Sequence, residues 1–390
     1  MSEENSQDIR PLFSPLTLRG VTFPNRIGVS PMCMYSATDG HTTDFHLVQL
    51  GRFALGGAGL VIMEATAIAP EGRISHYDAG IWDDSHVTGL KKITNFITIH
   101  GSIPGIQLAH AGRRASVTEP WRGGKPLSFS NDRREAEPAW ETDGPSALPA
   151  GPDWPTPHEM SVDDIQHSIR EWADAARRAV SAGFQVIELH GAHGYLLHSF
   201  FSPLSNHRTD SYGGSAEGRM LYPLEVAKAV RAAISPDIVL SYRVSSVDGI
   251  GGGITIEDTT ELAKHLSDVG VDIVDTSSGG ITTDRSVDTR VRRGFGFHAE
   301  FSRKVKEETN IPTATVGMVV EPEQADALIS SGACDIVLVG RGMLDDPNWA
   351  MHARDRLESP DPVADVRFDT YLPAWRKSIT KLLDSGESPV

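Results

Sequence analysis

The sequence predicts an α/β fold, a single (β/α)8 TIM barrel spanning residues 1–390 with a long capping excursion after its third strand. Short β-branched runs alternate with longer amphipathic stretches, and no block of consecutive hairpins interrupts them. The runs number eight, which suits a closed barrel.

The expected strands lie near Arg26–Ser30, Leu60–Thr66, Gly105–Ala109, Val186–His190, Ile238–Val244, Asp272–Ser277, Thr313–Val316 and Asp335–Val339. Helices are expected near Phe45–Ala54, Ser85–His100, Val162–Ala182, Glu217–Ile234, Ile256–Val269, Ala299–Thr309, Pro322–Ser331 and Pro347–Leu357. Ser161 and Thr255 stand where a side-chain oxygen starts a helix, and Gly183, Gly270 and Gly332 stand where one ends. The alternative, a doubly wound sheet, calls for a glycine fingerprint after its first strand, and none sits there. The nearest match, Gly294-Phe295-Gly296-Phe297-His298-Ala299, is separated from its preceding strand by many polar residues and reads as a loop.

Residues 112–160 form the excursion, rich in Pro, Trp and Gly; it leaves the barrel's C-terminal mouth and reads as a cap over a pocket there. A C-terminal segment, residues 369–390, carries Tyr371, Trp375 and Arg376 in a helix-like stretch that would cover a face or a neighbour.

Thirty-nine per cent hydrophobic content is enough for a full core, while a net charge of −16 argues against nucleic-acid or anionic-membrane partners. The start has no apolar leader and no stretch approaches a membrane-spanning length, so a cytoplasmic protein is expected. Two cysteines, Cys33 and Cys334, are too few for a disulfide framework or a four-thiolate cluster and fit a reducing compartment.

The segment His190-Gly191-Ala192-His193-Gly194-Tyr195 sets three polar side chains just past the fourth strand. Gly191 and Gly194 allow the chain to turn so that the imidazoles converge. Such a His-x-x-His pair serves either as hydrogen-bond donors or as metal ligands, the latter with carboxylates from Glu188 or Asp275. Alternation also points Gln107, His190 and Arg243 into the barrel near the mouth. A buried Arg243 needs an anionic partner, which is either a ligand or an internal carboxylate such as Glu188.

Across the mouth, the seventh and eighth strands end in Val316-Gly317-Met318 and Val339-Gly340-Arg341-Gly342. Backbone N–H groups and an arginine there suit a phosphate, unless Arg341 pairs with a loop carboxylate. A phosphate clamp facing a ring clamp of Gln107 and Arg243 suggests flavin mononucleotide, FMN.

Several segments carry a resemblance: Phe13-Ser14-Pro15-Leu16 with Pro24-Asn25-Arg26, Ser30-Pro31-Met32-Cys33-Met34-Tyr35, Gln107 to Arg113, and Glu188 to Tyr195. A longer one runs through Phe201-Ser202-Pro203-Leu204-Ser205-Asn206, Arg208-Thr209-Asp210 and Tyr212-Gly213-Gly214-Ser215. With these the chain resembles the Old Yellow Enzyme family of FMN-dependent ene-reductases over nearly its whole length, and Cys33 resembles the thermophilic-like subgroup. The resemblance implies NADPH or NADH as hydride donor, a ping-pong hydride transfer, and activated alkenes as substrates: α,β-unsaturated carbonyls and nitroalkenes. It implies flavin contacts from Ser30, Pro31, Met32, Cys33, Ala65, Gln107, Arg243, Gly317, Gly340 and Arg341. It also implies that His190 and His193 hold the substrate oxygen, that Tyr195 gives a proton, and that Tyr35 is a second substrate contact. No metal is implied, and a homo-oligomer, dimer or tetramer, is. Two departures stand out. Glu217-Gly218-Arg219 replaces the usual Glu-Asn-Arg, and Leu372-Pro373-Ala374-Trp375-Arg376 is only loosely like a tail that in this subgroup can reach a neighbour's pocket.

Overall fold

A computed structural model describes residues 9–128, 138–287, 289, 291–358 and 372–386 of the chain. The first elements were not foreseen. Strands β1 (Leu16–Leu18) and β2 (Val21–Phe23) form an antiparallel hairpin around Arg19-Gly20. Leu16, Leu18, Val21 and Phe23 pack on Leu60, Val186, Val239, Ile273 and Ile336, five residues at the starts of barrel strands. The hairpin therefore plugs the N-terminal end of the barrel.

The βα units follow: β3 (Ile27–Val29), α1 (Asp44–Leu55), β4 (Leu60–Ala67), α2 (Val87–Ile99) and β5 (Ile103–Ala109). The excursion then carries two-residue strands β6 (Asp143–Gly144) and β7 (His158–Glu159), paired in parallel. Next come α3 (Val162–Ser181), β8 (Val186–Gly191), α4 (Leu196–Phe201), α5 (Ala216–Ala233), β9 (Val239–Ser245), α6 (Ile256–Asp268) and β10 (Ile273–Ser277). The chain continues through α7 (Ala299–Thr309), β11 (Thr313–Thr315), α8 (Pro322–Ser330), β12 (Ile336–Val339), α9 (Arg341–Asp345), α10 (Trp349–Leu357) and α11 (Leu372–Asp384). Strands β3, β4, β5, β8, β9, β10, β11 and β12 close in that order into a barrel that is parallel throughout. This is the (β/α)8 fold the alternation predicts.

Local chemistry accounts for the boundaries. Ser161 accepts the Asp164 N–H at the start of α3 and Thr255 accepts the Asp258 N–H at the start of α6, so both predicted caps form. The outer core lies between strands and helices, where Trp172 of α3 donates to the Tyr222 hydroxyl of α5 at 3.2 Å. A large aromatic with a polar handle is buried only when that handle is met.

Two buried arginines tie the described part of the excursion to connections at the barrel's C-terminal mouth. Arg113 donates to Leu148 O and Pro149 O within the excursion and to Ile281 O in the β10–α7 connection. Arg208 donates to Pro145 O at 3.0 Å and Met160 O at 2.5 Å. The Thr283 N–H adds a bond to Ala150 O at 2.9 Å. Trp375 on α11 is exposed, whereas Tyr371 and the side chain of Arg376 lie outside the described residues. No helix among the described residues is long and apolar enough to cross a membrane.

Candidate active site

Barrel register builds the floor of the site. Gln107 of β5 pairs in register with Glu188 of β8, which pairs with Ser241 of β9. One residue pair higher, His190, Arg243 and Asp275 share a level across β8, β9 and β10. Side chains in register point the same way, so two rows of polar groups face the barrel interior. Gln107 Nε2 donates to Glu188 Oε1 at 2.9 Å and Ser241 Oγ donates to Oε2 at 2.9 Å.

Arg243 finds an internal acid, but it is Asp275 and not Glu188. Its Nε lies 3.1 Å from Asp275 Oδ2, without the alignment of a hydrogen bond, so both Asp275 oxygens lack a donor. A single protein bond, from Nη1 to Ser30 Oγ at 3.4 Å, joins Arg243 to the segment after β3. Two buried carboxyls and one guanidinium thus stand on adjacent levels of the barrel interior. Burial, then repulsion from Asp275, pushes Glu188 up to about 7, and burial raises Asp275 although Arg243 opposes it.

Above this floor the chain leaves β8 in a tight turn. His193 (φ 61°) and Gly194 (φ 77°) are both left-handed. A Cβ at Gly194 would meet Gly280 O at 2.2 Å, so only glycine fits. The His193 N–H is accepted by Ser245 Oγ at 3.0 Å, and its carbonyl receives a bond from Arg114, which also donates to Gly280 O at 2.8 Å. The turn brings the three polar rings together: His190 lies edge-on to His193 at 5.1 Å and to Tyr195 at 5.0 Å.

Each imidazole has one nitrogen occupied and one available. His190 Nδ1 accepts the Ala192 N–H at 3.4 Å, which leaves the proton of the neutral ring on Nε2. His193 Nε2 pairs with Ser277 Oγ at 2.7 Å. Neither His190 Nε2 nor His193 Nδ1 has a hydrogen bond from the described residues. Burial, reinforced by the Arg243 charge, holds both imidazoles well below their ordinary range, so they are neutral.

Cys33, Tyr35 and Tyr195 line an apolar wall with Ile74, Ala111, Ala115, Val117, Trp140 and Trp154. Burial, followed by the charges of Asp78 and Glu64, pushes the Cys33 thiol up, which keeps it protonated. Burial also raises both tyrosines, while the Arg114 guanidinium, 5.6 Å over the Tyr195 ring, opposes this for Tyr195. Trp121 of the excursion stands edge-on to Tyr35 at 5.6 Å.

Across the mouth, Gly317 (φ 120°) follows β11 and Gly340 precedes α9. Arg341 is exposed and makes no ion pair with a described residue, so the carboxylate-paired alternative is not what the structure shows. Among the described residues, the group with metal-ligand spacing is Glu71, His110 and Asp143, which includes neither His190 nor His193. There His110 Nδ1 accepts the Gly112 N–H at 3.1 Å, which places the neutral ring's proton on the very nitrogen that faces the acids.

A profile of the NADH:flavin oxidoreductase / NADH oxidase family matches residues 11–359. The chain belongs to this family. It is 41% identical over 348 residues to an NADPH dehydrogenase of Geobacillus thermodenitrificans, covering 89% of this chain and 94% of that one. It is 40% identical over 356 residues to the NADPH dehydrogenase of Bacillus cytotoxicus, covering 90% and 94%. Among solved structures, morphinone reductase is similar with a TM-score of 0.71 at 25% identity, covering 91% of this chain and 92% of that one. An old yellow enzyme homologue from Zymomonas mobilis gives 0.68 at 25% identity, covering 91% and 95%.

The protein is therefore an enzyme of the Old Yellow Enzyme type, a flavin oxidoreductase with FMN as cofactor and NAD(P)H as electron donor. The residues fit FMN. The Arg341 guanidinium, without an ion pair to a described residue, stands next to Gly340 at the end of β12, where backbone N–H groups and an arginine suit a phosphate. Arg243 lies against Asp275 through Nε, and its Nη1 makes a single long bond, to Ser30 Oγ. Ser30 is buried and Pro31, Met32 and Cys33 are partly buried between β3 and α1, while Ala65 of β4 pairs in register with Gln107. Sequence reasoning missed Arg114, Ser245 and Ser277. The two serines close β9 and β10 in register with one another, so continuing the alternation past Arg243 and Asp275 would have found them.

Proposed function

We propose that this enzyme reduces the C=C bond of activated alkenes, α,β-unsaturated carbonyls and nitroalkenes, in a ping-pong exchange with NAD(P)H. The observation that carries the reading is the pair of neutral imidazoles, each tied to the protein through one nitrogen and open at the other. The occurrence of a morphinone reductase among the similar structures supports it.

FMN, when bound, supplies hydride exchange between the nicotinamide and the electron-poor carbon. The chain supplies the rest. Negative charge grows on the substrate oxygen as its β-carbon is attacked, so two preorganised N–H donors bind the transition state more tightly than the ground state. Because the imidazoles are neutral, they donate without giving up a proton to the oxygen. Tyr195, a protonated phenol beside His190, holds the proton for the adjacent carbon, and Tyr35, on the same wall, is a second substrate contact. Gln107 and Arg243 hold the ring edge, while Gly317, Gly340 and Arg341 hold the phosphate. Ser30, Pro31, Met32, Cys33 and Ala65 line the ring, and Cys33, as an un-ionised thiol, tunes it without acting as a nucleophile. The described residues of the excursion, 112–128 and 138–160, serve as the cap.

The test is a pair of half-reactions. Anaerobic NADPH should bleach the yellow holoenzyme, and 2-cyclohexen-1-one should restore the colour. In the His190→Ala/His193→Ala variant the second step should slow by at least about 10²-fold while bleaching persists. Equal loss of both steps, or no recovery of colour in the wild type, overturns the reading.

A further inference from the structure

Behind the His193–Tyr195 turn lies a buried pair that lines none of the surfaces described above. His198 of α4 and Asp248, after β9, are both 0% exposed, and His198 Nε2 lies 3.0 Å from Asp248 Oδ1, closer to ion-pair than to aligned hydrogen-bond geometry. On the far side of the ring, His198 Nδ1 accepts the Gly194 N–H at 2.8 Å. Asp248 Oδ2 accepts Ser202 Oγ–H at 2.7 Å and the Ile254 N–H at 2.9 Å. Ser199 Oγ completes the set by donating to Gly194 O at 2.9 Å.

An imidazole that accepts at Nδ1 carries its neutral proton on Nε2, and a carboxylate facing Nε2 favours that tautomer. Burial alone would push Asp248 up, but His198 and the donors from Ile254 and Ser202 outweigh it and hold it below the usual carboxylate range. The turn needs such an anchor. A buried N–H at a left-handed glycine, with neither helix nor sheet partner, is costly to leave unmet.

We propose that Asp248 and His198 are positioning residues: Asp248 fixes the His198 proton on Nε2, and Nδ1 then anchors the Gly194 N–H so that His193 and Tyr195 stand against His190. This rests on the reading of His193 and Tyr195 as substrate-facing groups, and it separates a chain of roles that touches no reactant from the groups that do.

Asp248→Asn is the incisive variant, because it is nearly isosteric. Its oxygen serves Ser202 and Ile254, its amide N–H faces His198 Nε2, and the ring proton is driven to Nδ1, against the Gly194 N–H. In holoenzyme labelled with 15N-histidine, the wild type should show a pyridine-like Nδ1 at His198, and Asp248→Asn a pyrrole-like one with a shifted Gly194 amide. Reoxidation of the reduced variant by 2-cyclohexen-1-one should slow roughly ten- to a hundred-fold. His198→Asn places an acceptor oxygen near the Nδ1 position and cannot tautomerise, so the double variant should regain most of the rate. A wild-type His198 protonated on Nδ1 overturns the proposal, as does a tautomer switch that leaves reoxidation untouched. If Asp248→Asn fails to fold, His198→Asn alone decides: retained reoxidation supports the role and lost reoxidation overturns it. Should the wild type not react with enones at all, the function reading fails, and the substrate-free ring and amide shifts still decide the positioning role.

Discussion

Glu188 sits in the floor of the site held by two neutral donors, one amide and one hydroxyl, while the arginine one strand away leans toward Asp275. Alternation placed Glu188, Gln107 and Arg243 on the inner face, and the structure agrees with that direction. What alternation omitted was the level: Arg243 shares its level with Asp275 and His190, and level is set by barrel closure, not by spacing along one strand. A carboxyl raised to about 7 has a definite effect on stability. Between about 4.5 and about 7 the folded chain holds a proton at Glu188 that the unfolded chain releases, so this residue's contribution falls as pH rises through that window. The size is on the order of 3 kcal/mol. Glu188→Gln should remove that slope, so that in urea unfolding with FMN in excess the variant gains on the wild type between pH 5 and pH 8. Parallel curves at both pH values would show that Glu188 ionises as an exposed acid does.

The eight strands were legible as elements because β-branched runs bounded by glycine and polar residues admit one register with the core. The hairpin β1–β2 was not, since three residues per strand give too short a period to read. Helix α4 was missed for the opposite reason: all six of its residues are buried, so it has no polar face. The glycine ends of β11 and β12 were legible as a pair, but they are physically unlike. A Cβ at Gly317 would lie 2.9 Å from His298 Nδ1 on a backbone at φ 120°, whereas at Gly340 it would meet only Met32 Sδ at 3.6 Å and Ser30 Cβ at 3.7 Å. Gly317→Ala should therefore lower the melting temperature of the FMN-free protein and weaken FMN binding. Gly340→Ala should leave that melting temperature within a degree or two while still raising the FMN dissociation constant about tenfold or more. Equal effects of the two substitutions on both measurements would contradict the phosphate-end assignment.

The barrel keeps its chemistry and its closure at opposite ends. The hairpin seals the N-terminal end with Phe23, whereas His190, His193, Tyr195 and Arg243 of the candidate site lie in or beyond the C-terminal halves of their strands, with Glu188 and Ser241 as the floor beneath them. Phe23→Ala should cost about 3–5 kcal/mol of stability. The rate of enone-driven reoxidation per bound flavin should stay at the wild-type value, because nothing near the rings moves. A variant as stable as the parent, or one with a changed rate, would refute this division of labour.

Arg113 reaches in one span from the excursion to the stretch after β10, with the Thr283–Ala150 bond as a second stitch. Those two flaps are consequently one roof. Displacing either one alone would break a buried guanidinium's bonds to carbonyls from both, so the two stretches are held as a unit.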